Sequence, residues 1–289
     1  MNKILLIDKE EGYTSRDVVN IICKNYHTKK VGHTGTLDPL ATGVLVICIG
    51  KYTKLVDLIT SYDKTYITKV VLGIKTNTLD ITGNTIEETN YILNKDKLLE
   101  TLNNFVGTYN QEVPIYSAVK VNGKKLYEYA REGIEVLLPK KDITVNYIKL
   151  LDISTYDNKP CFTIETSVSK GTYIRSLISD IASSLGTIGT MVSLRRTTQG
   201  NFNIEDCNKL NDSNNYKELT LKDILPNIKT ITVDNNTKQE ILNGKILDNK
   251  FNELVLFVDE TKKELAIYKV YDKDTTKIKP YIMLYEDNK

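Results

Sequence analysis

The chain has 289 residues, 40% hydrophobic and 26% charged, enough for a sizeable core and best divided into one large domain and one small one. No apolar run approaches the length of a membrane span, and Met1–Asp8 reads as a first strand rather than a leader, so no membrane partner and a cytoplasmic location are expected. The four cysteines are scattered without CxxC spacing and the only histidines are His27 and His33, which argues against a zinc site and a disulfide framework.

Thr14-Ser15-Arg16-Asp17 predicts a helix start, with Val18, Ile21 and Ile22 on the buried stripe and an end near His27-Thr28. Next comes a loop framed by Gly32, Gly35 and Gly43, in which Pro39 bars Asp38 from helix. The apolar run Val44 to Ile49 predicts a buried strand behind that loop. Lys64 to Gly73 is rich in β-formers and reads as another strand, followed by a turn at Asp80 to Asn84 and a short helix from Asp96 to Phe105. Pro114 to Lys125 suggests a strand and a basic turn, and Leu126 to Arg131 a turn or two of helix closed by Gly133. Cys161 to Val168 alternates like a half-buried strand. Ile174, Leu177, Ile178, Ile181 and Leu185 then mark one face of a helix, with Arg175 off the stripe in its first turn. The polar stretch from Asn208 to Lys217 reads as a surface insertion or the approach to a linker. Beyond Pro226 the pattern changes to short β-rich runs, Leu254 to Val258, Glu264 to Tyr271 and Pro280 to Tyr285, after a strand and short helix within Ile231 to Asn243. The whole is α+β with a mixed sheet and no internal repeat.

Only five of the 39 basic residues are arginine (Arg16, Arg131, Arg175, Arg195 and Arg196), positions where a planar fork for carboxylate or phosphate is expected. An Asp-Pro loop on its own is more often an Asx-type turn than a site. Three positions nevertheless stand out as chemistry: Asp38, Tyr66 on its strand, and Arg175 after Lys170-Gly171-Thr172-Tyr173. The chain lacks a Ser-His-Asp order, paired carboxylates, a metal cluster and a phosphate-binding glycine loop. A lone carboxylate acting covalently, or as a base on a bound electrophile, is what remains.

Gly32-His33-Thr34-Gly35-Thr36-Leu37-Asp38-Pro39-Leu40-Ala41-Thr42-Gly43 resembles the signature of the TruB family, the bacterial tRNA pseudouridine(55) synthases. Asp63 to Tyr66, Tyr116 to Lys120, Gly123 to Arg131, Ser169 to Leu177 and Leu194 to Thr197 are similar to further blocks of that family, in its order, between Met1 and Phe202. Val113 stands where the family commonly shows a second proline, a departure that predicts a looser segment.

The resemblance implies a mainly antiparallel pseudouridine-synthase core over 1–226, with a mobile RNA-binding insertion at 113–139. It also implies a small C-terminal β-barrel, a PUA-like RNA-binding module, over 227–289. The activity implied is isomerisation of uridine in the T arm of tRNA by base flipping, without cofactor or metal and without an obligatory protein partner, in a monomer. Asp38 would be the nucleophile, attacking either the uracil ring or the sugar's anomeric carbon. Arg175 would pair with Asp38, Tyr66 would stack on the base and relay a proton, and Tyr173 and Leu194 would line the uracil pocket. His33 would enter the space that the flipped base leaves.

RNA contact is expected from local basic clusters rather than net charge: Lys64, Lys120, Lys124, Lys125, Arg131, Arg195 and Arg196, with Tyr116, Tyr127 and Tyr129 interleaved for stacking. The competing readings are a non-catalytic tRNA-binding protein and a related synthase that acts at another RNA site.

Overall fold

The computed structural model describes residues 2–212 and 216–285, so part of the polar stretch at 208–217 and the end of the C-terminal segment lie outside it. The N-terminal strand β1 (Lys3–Lys9) leads to helix α1 (Ser15–Asn25), started by a capping box between Thr14 and Asp17. Strands β2 (Val31–His33) and β3 (Thr42–Ile49) flank the glycine-framed loop, and β4 (Lys64–Leu72) follows. Helix α2 (Lys95–Asn104) and strand β5 (Gly107–Glu112) precede the insertion, whose main element is the short helix α3 (Leu126–Glu132). A long hairpin, β6 (Lys140–Tyr156) and β7 (Lys159–Val168), leads to α4 (Ile174–Ser184) and β8 (Gly189–Gln199).

With three further short strands these build an eleven-stranded mixed sheet whose main path runs β1-β3-β8-β4-β7-β6-β5, with β2 paired to β3. Its pairings are antiparallel except β3 with β8 and the short Asn208–Lys209 strand with β1. The Asn208 stretch is therefore not simply a surface insertion: it extends the sheet edge beside Ile7 and Asp8, and Leu210 and Tyr216 are buried near it.

The apolar continuity of β1 and β3 follows from burial on both faces. Leu5, Ile7, Leu45, Ile47 and Ile49 meet α1, α2 and α4 in one core, while Ile4, Leu6, Val44, Val46 and Cys48 face a second. That second core is completed from the C-terminal end by Leu256, Val258, Ile267 and Ile282. The C-terminal unit is a curled five-stranded half-barrel sheet of β9 (Lys229–Thr232), β10 (Leu247–Asp248), β11 (Val255–Val258), β12 (Glu264–Tyr271) and β13 (Asp274–Met283). Helix α5 (Asn235–Leu242) covers its other face, where Ile241, Phe257 and Tyr268 form a third core. The expected α+β, mainly antiparallel architecture is the one observed. The half-barrel shares a hydrophobic core with β1 and β3, and Tyr52 donates a 2.8 Å hydrogen bond across that junction to Glu264.

The insertion is closed at its base rather than loosened there. The backbone N–H of Val113 donates to the carbonyl of Pro139 at 3.0 Å, a bond that a proline at 113 could not make.

Candidate active site

Asp38 sits on the connection between β2 and β3, held from below by groups with little freedom. The side chain of Ser15 accepts from the N–H of Leu37 at 2.8 Å, and the Ala41 N–H donates to the Asp38 carbonyl at 3.0 Å. Gly43 has φ +105°, and a Cβ there would run into the backbone of Arg196 on the paired strand β8. Only glycine lets β3 leave the loop this close to β8.

Three buried cations surround the loop, each satisfied mainly by carbonyl oxygens. Arg175, 7% exposed, donates to the carbonyls of Thr78 and Tyr116 at 3.0 Å each and pairs with Asp38 Oδ2 at 3.0 Å. Arg196, 1% exposed, donates to the carbonyls of Val44 (2.6 Å) and Gly35 (3.1 Å). Lys9, fully buried at the end of β1, donates to the carbonyls of Glu10, Tyr13 and Pro39 at 2.9, 2.6 and 3.4 Å. Burial pushes its pKa down to about 8, against the opposing pull of Asp38.

Above Asp38 opens a cavity of about 460 Å³, within the range of small-ligand sites. Its lining includes Asp38, Tyr66, Tyr173, Arg175 and Leu194, with Tyr116 and Tyr127 contributed by the insertion. Asp38 keeps 37% of its side chain exposed, open to a ligand, whereas Arg175 is sealed behind it. Tyr66 and Leu194 lie on the neighbouring strands β4 and β8, which places a ring and an apolar side chain on one wall.

His33 stands outside that lining, at the end of β2. Its Nδ1 is buried without a hydrogen-bond partner, and burial together with Arg16 and Arg196 lowers its pKa, which favours a neutral imidazole.

Three residues expected to meet phosphate have other partners. Arg196 points inward and is spent on the loop carbonyls. Lys64 is 6% exposed and donates to the carbonyls of Thr60 and Tyr62 at 2.6 and 2.7 Å, although it reaches the cavity wall. Desolvation, with Arg196 nearby, lowers the Lys64 pKa to about 8. Arg195 is more open but bonds Asp8 through two nitrogens, at 3.1 and 2.8 Å.

The insertion keeps its charges near its surface. Lys124 pairs with Glu132 and lies over the Tyr129 ring, while Lys125 and Arg131 both lie 5.3 Å from the Tyr127 ring centroid. Lys120 is exposed. Sequence reasoning missed Lys9 and Gln199 as supports of the site. The amide of Gln199 donates to the Thr34 and Ile59 carbonyls at 2.6 and 3.0 Å. A lysine two residues beyond the apolar run Ile4 to Ile7 is the one signal that could have pointed to Lys9. Among the described residues no group of three or more His, Cys, Asp or Glu is placed to hold a metal ion, and no helix is long and apolar enough to cross a membrane.

The chain has clear relatives among known proteins. A family model for the TruB family pseudouridylate synthase N-terminal domain matches residues 24–174, and one for the tRNA pseudouridylate synthase B C-terminal domain matches 175–228. The tRNA pseudouridine synthase B of Shouchella clausii is 40% identical over 292 residues, covering 96% of both chains. That of Fusobacterium nucleatum is 49% identical over 205 residues, 71% of this chain and 70% of that one. Among solved structures, an H/ACA RNP bound to a substrate RNA containing 2'-deoxyuridine matches with a TM-score of 0.70 at 20% identity, covering 99% of this chain and 86% of that one. A Cbf5-Nop10-Gar1 complex matches with a TM-score of 0.69 at 23% identity, covering 99% and 84%. These two likenesses are of fold.

Proposed function

The chain belongs to the TruB family and is a tRNA pseudouridine synthase, and from that premise we propose that it converts uridine 55 in the T loop to pseudouridine within the Asp38 cavity. A stacked uridine must first be extruded, at a cost of a few kcal/mol. Neutral His33 fills the space left in the RNA. The base enters between Tyr66, Tyr173 and Leu194, with Tyr66 stacked on its face. Asp38 then attacks either the uracil ring or the anomeric carbon. The glycosidic N1–C1′ bond breaks, uracil turns within the cavity, its C5 bonds to C1′, and the bond that Asp38 had formed breaks to return the free carboxylate. The proton displaced from C5 leaves by way of Tyr66, and N1, freed from the sugar, takes up a proton in its place. Substrate and product are isomers, so no atom or electron is gained or lost.

The observation that carries this reading is the 3.0 Å ion pair of Arg175 and Asp38 at the floor of a cavity walled by Tyr66, Tyr173 and Leu194. Arg175 aims the carboxylate through a terminal nitrogen that also donates to the Tyr116 carbonyl, while its other terminal nitrogen donates to that of Thr78, the preorganisation that acyl and glycosyl chemistry exploits. The insertion at 113–139, with Lys120, Lys124, Lys125 and Arg131 beside its tyrosines, supplies phosphate and stacking contacts to the T arm. The unit at 227–289 serves as a PUA-like RNA-binding module, supported by the Lys229–Phe251, Lys269–Tyr281 and Lys279–Tyr271 cation–ring pairs along it.

The direct test incubates the protein with an unmodified tRNA transcript and maps pseudouridine along it. A single product in the T loop is expected. Product elsewhere, or none from a folded protein that binds the RNA, overturns the reading.

A further inference from the structure

Arg175 is the second residue of α4, so its aim depends on how the start of that helix is fixed. Tyr173, the N-cap, has a backbone and no capping side chain of its own. The cap comes from another element. Gln111, on β5 and 1% exposed, accepts from the Tyr173 N–H at 2.8 Å and donates to the Tyr173 carbonyl at 3.2 Å. The same amide donates to Tyr109 Oη at 2.8 Å, and that hydroxyl donates to Asp180 Oδ2, one and a half turns along α4, at 3.2 Å. The amide thus grips both polar groups of one peptide residue and is itself oriented by a second tie to the same helix.

Gln111 is also two residues from the base of the insertion, which the Val113–Pro139 bond closes. The insertion also meets Arg175 directly, through the Tyr116 carbonyl. We propose that Gln111 is a positioning residue, which fixes Tyr173 and Arg175 relative to the base of the insertion and so couples the placement of that RNA-gripping element to the aim of Asp38. This rests on the reading of the Asp38 cavity given above. Its hydrogen bonds link the strand that leads into the insertion to the helix that carries Arg175.

The test is Gln111→Met, which keeps length and bulk but removes both hydrogen bonds to Tyr173. Single-turnover pseudouridine formation on a tRNA transcript is measured alongside tRNA Kd and the melting temperature. The expected result is a rate lower by about tenfold or more with Kd changed by less than about threefold, because misplacing a reacting group slows chemistry without removing binding contacts. Tyr109→Phe, which leaves Gln111 on Tyr173 but cuts the tie to Asp180, is expected to lose about two- to threefold in rate. A Gln111→Met protein as fast as wild type overturns the proposal, as does a loss accounted for entirely by weaker binding. Should Gln111→Met fail to fold, an unchanged rate in Tyr109→Phe overturns it. A wild-type protein that binds tRNA and makes no pseudouridine overturns the reading of the cavity instead, so the two failures are distinguishable.

Discussion

The Asp38 loop and the insertion at 113–139 both face the cavity, yet they are built in opposite ways. The loop lies between core strands and is held by Arg196, Lys9 and Gln199, buried donors aimed at the carbonyls of Gly35, Pro39 and Thr34, and by the ion pair of Arg175 with Asp38. The insertion has a two-residue hairpin pair and one short helix, carries the exposed apolar side chains of Ile134 and Leu137, and keeps its cations over tyrosine rings. Removing a buried cation leaves orphaned carbonyls and shifts the loop, whereas removing an insertion lysine deletes one screened surface contact. The difference separates chemistry, which needs a fixed carboxylate, from recognition, which needs an adaptable surface.

Mutations should divide along the same line. Arg175→Met should lower the single-turnover rate by about 10²- to 10³-fold while tRNA Kd moves little, since it removes a preorganised charge from beside the reacting group. Comparable losses in rate and binding would merge the two regions into one. Gly43→Ala forces β3 away from Arg196 and adds strain at a left-handed position, so a loss of roughly 1–3 kcal/mol in denaturant unfolding is expected, with a slower reaction. Lys124→Ala combined with Lys125→Ala should weaken tRNA binding and reduce the slope of log Kd against log salt by about one to two, leaving the rate at saturating tRNA near wild type.

The smallest effect is in stability against pH. Lys9 has a folded pKa of about 8 against an ordinary value of 10.5, so between those pH values the unfolded chain holds more protons than the folded one. Stability contributed by this site therefore rises as pH rises through that window. Lys9→Met should remove that rise, seen as a smaller gain in melting temperature from pH 8 to 10 than wild type shows. Lys64 carries a second depressed lysine pKa and continues to contribute in the variant.

The strands and helices around Asp38 were legible because their periods are strong: β3 reads as an unbroken apolar run and α4 as a stripe. The 17-residue strand β6 and the strand β8 left weaker signals. Much of β6 is exposed, and two register shifts against β7 break its alternation. In β8 the pair Arg195-Arg196 looks like a surface patch because charge is read as solvent exposure. Arg196 is inside, where loop carbonyls satisfy its donors, a circumstance that depends on a strand pairing with residues 150 positions away. For the same reason Gln199 and Gln111 could not be assigned from pattern: each is placed by backbone groups that no spacing along the chain encodes. The positions of Asp38, Tyr66, Tyr173, Arg175 and Leu194 were each singled out, and they line one cavity. His33, singled out too, is not part of that lining.

The most direct test of the account is Asp38→Asn, a change that keeps shape and removes the charge and the nucleophile. Single-turnover pseudouridine formation should fall by at least about 10⁴-fold while tRNA Kd stays within a few-fold of wild type. A variant that still forms pseudouridine in the T loop at an appreciable rate, or one whose loss is explained by failure to bind tRNA, would contradict it.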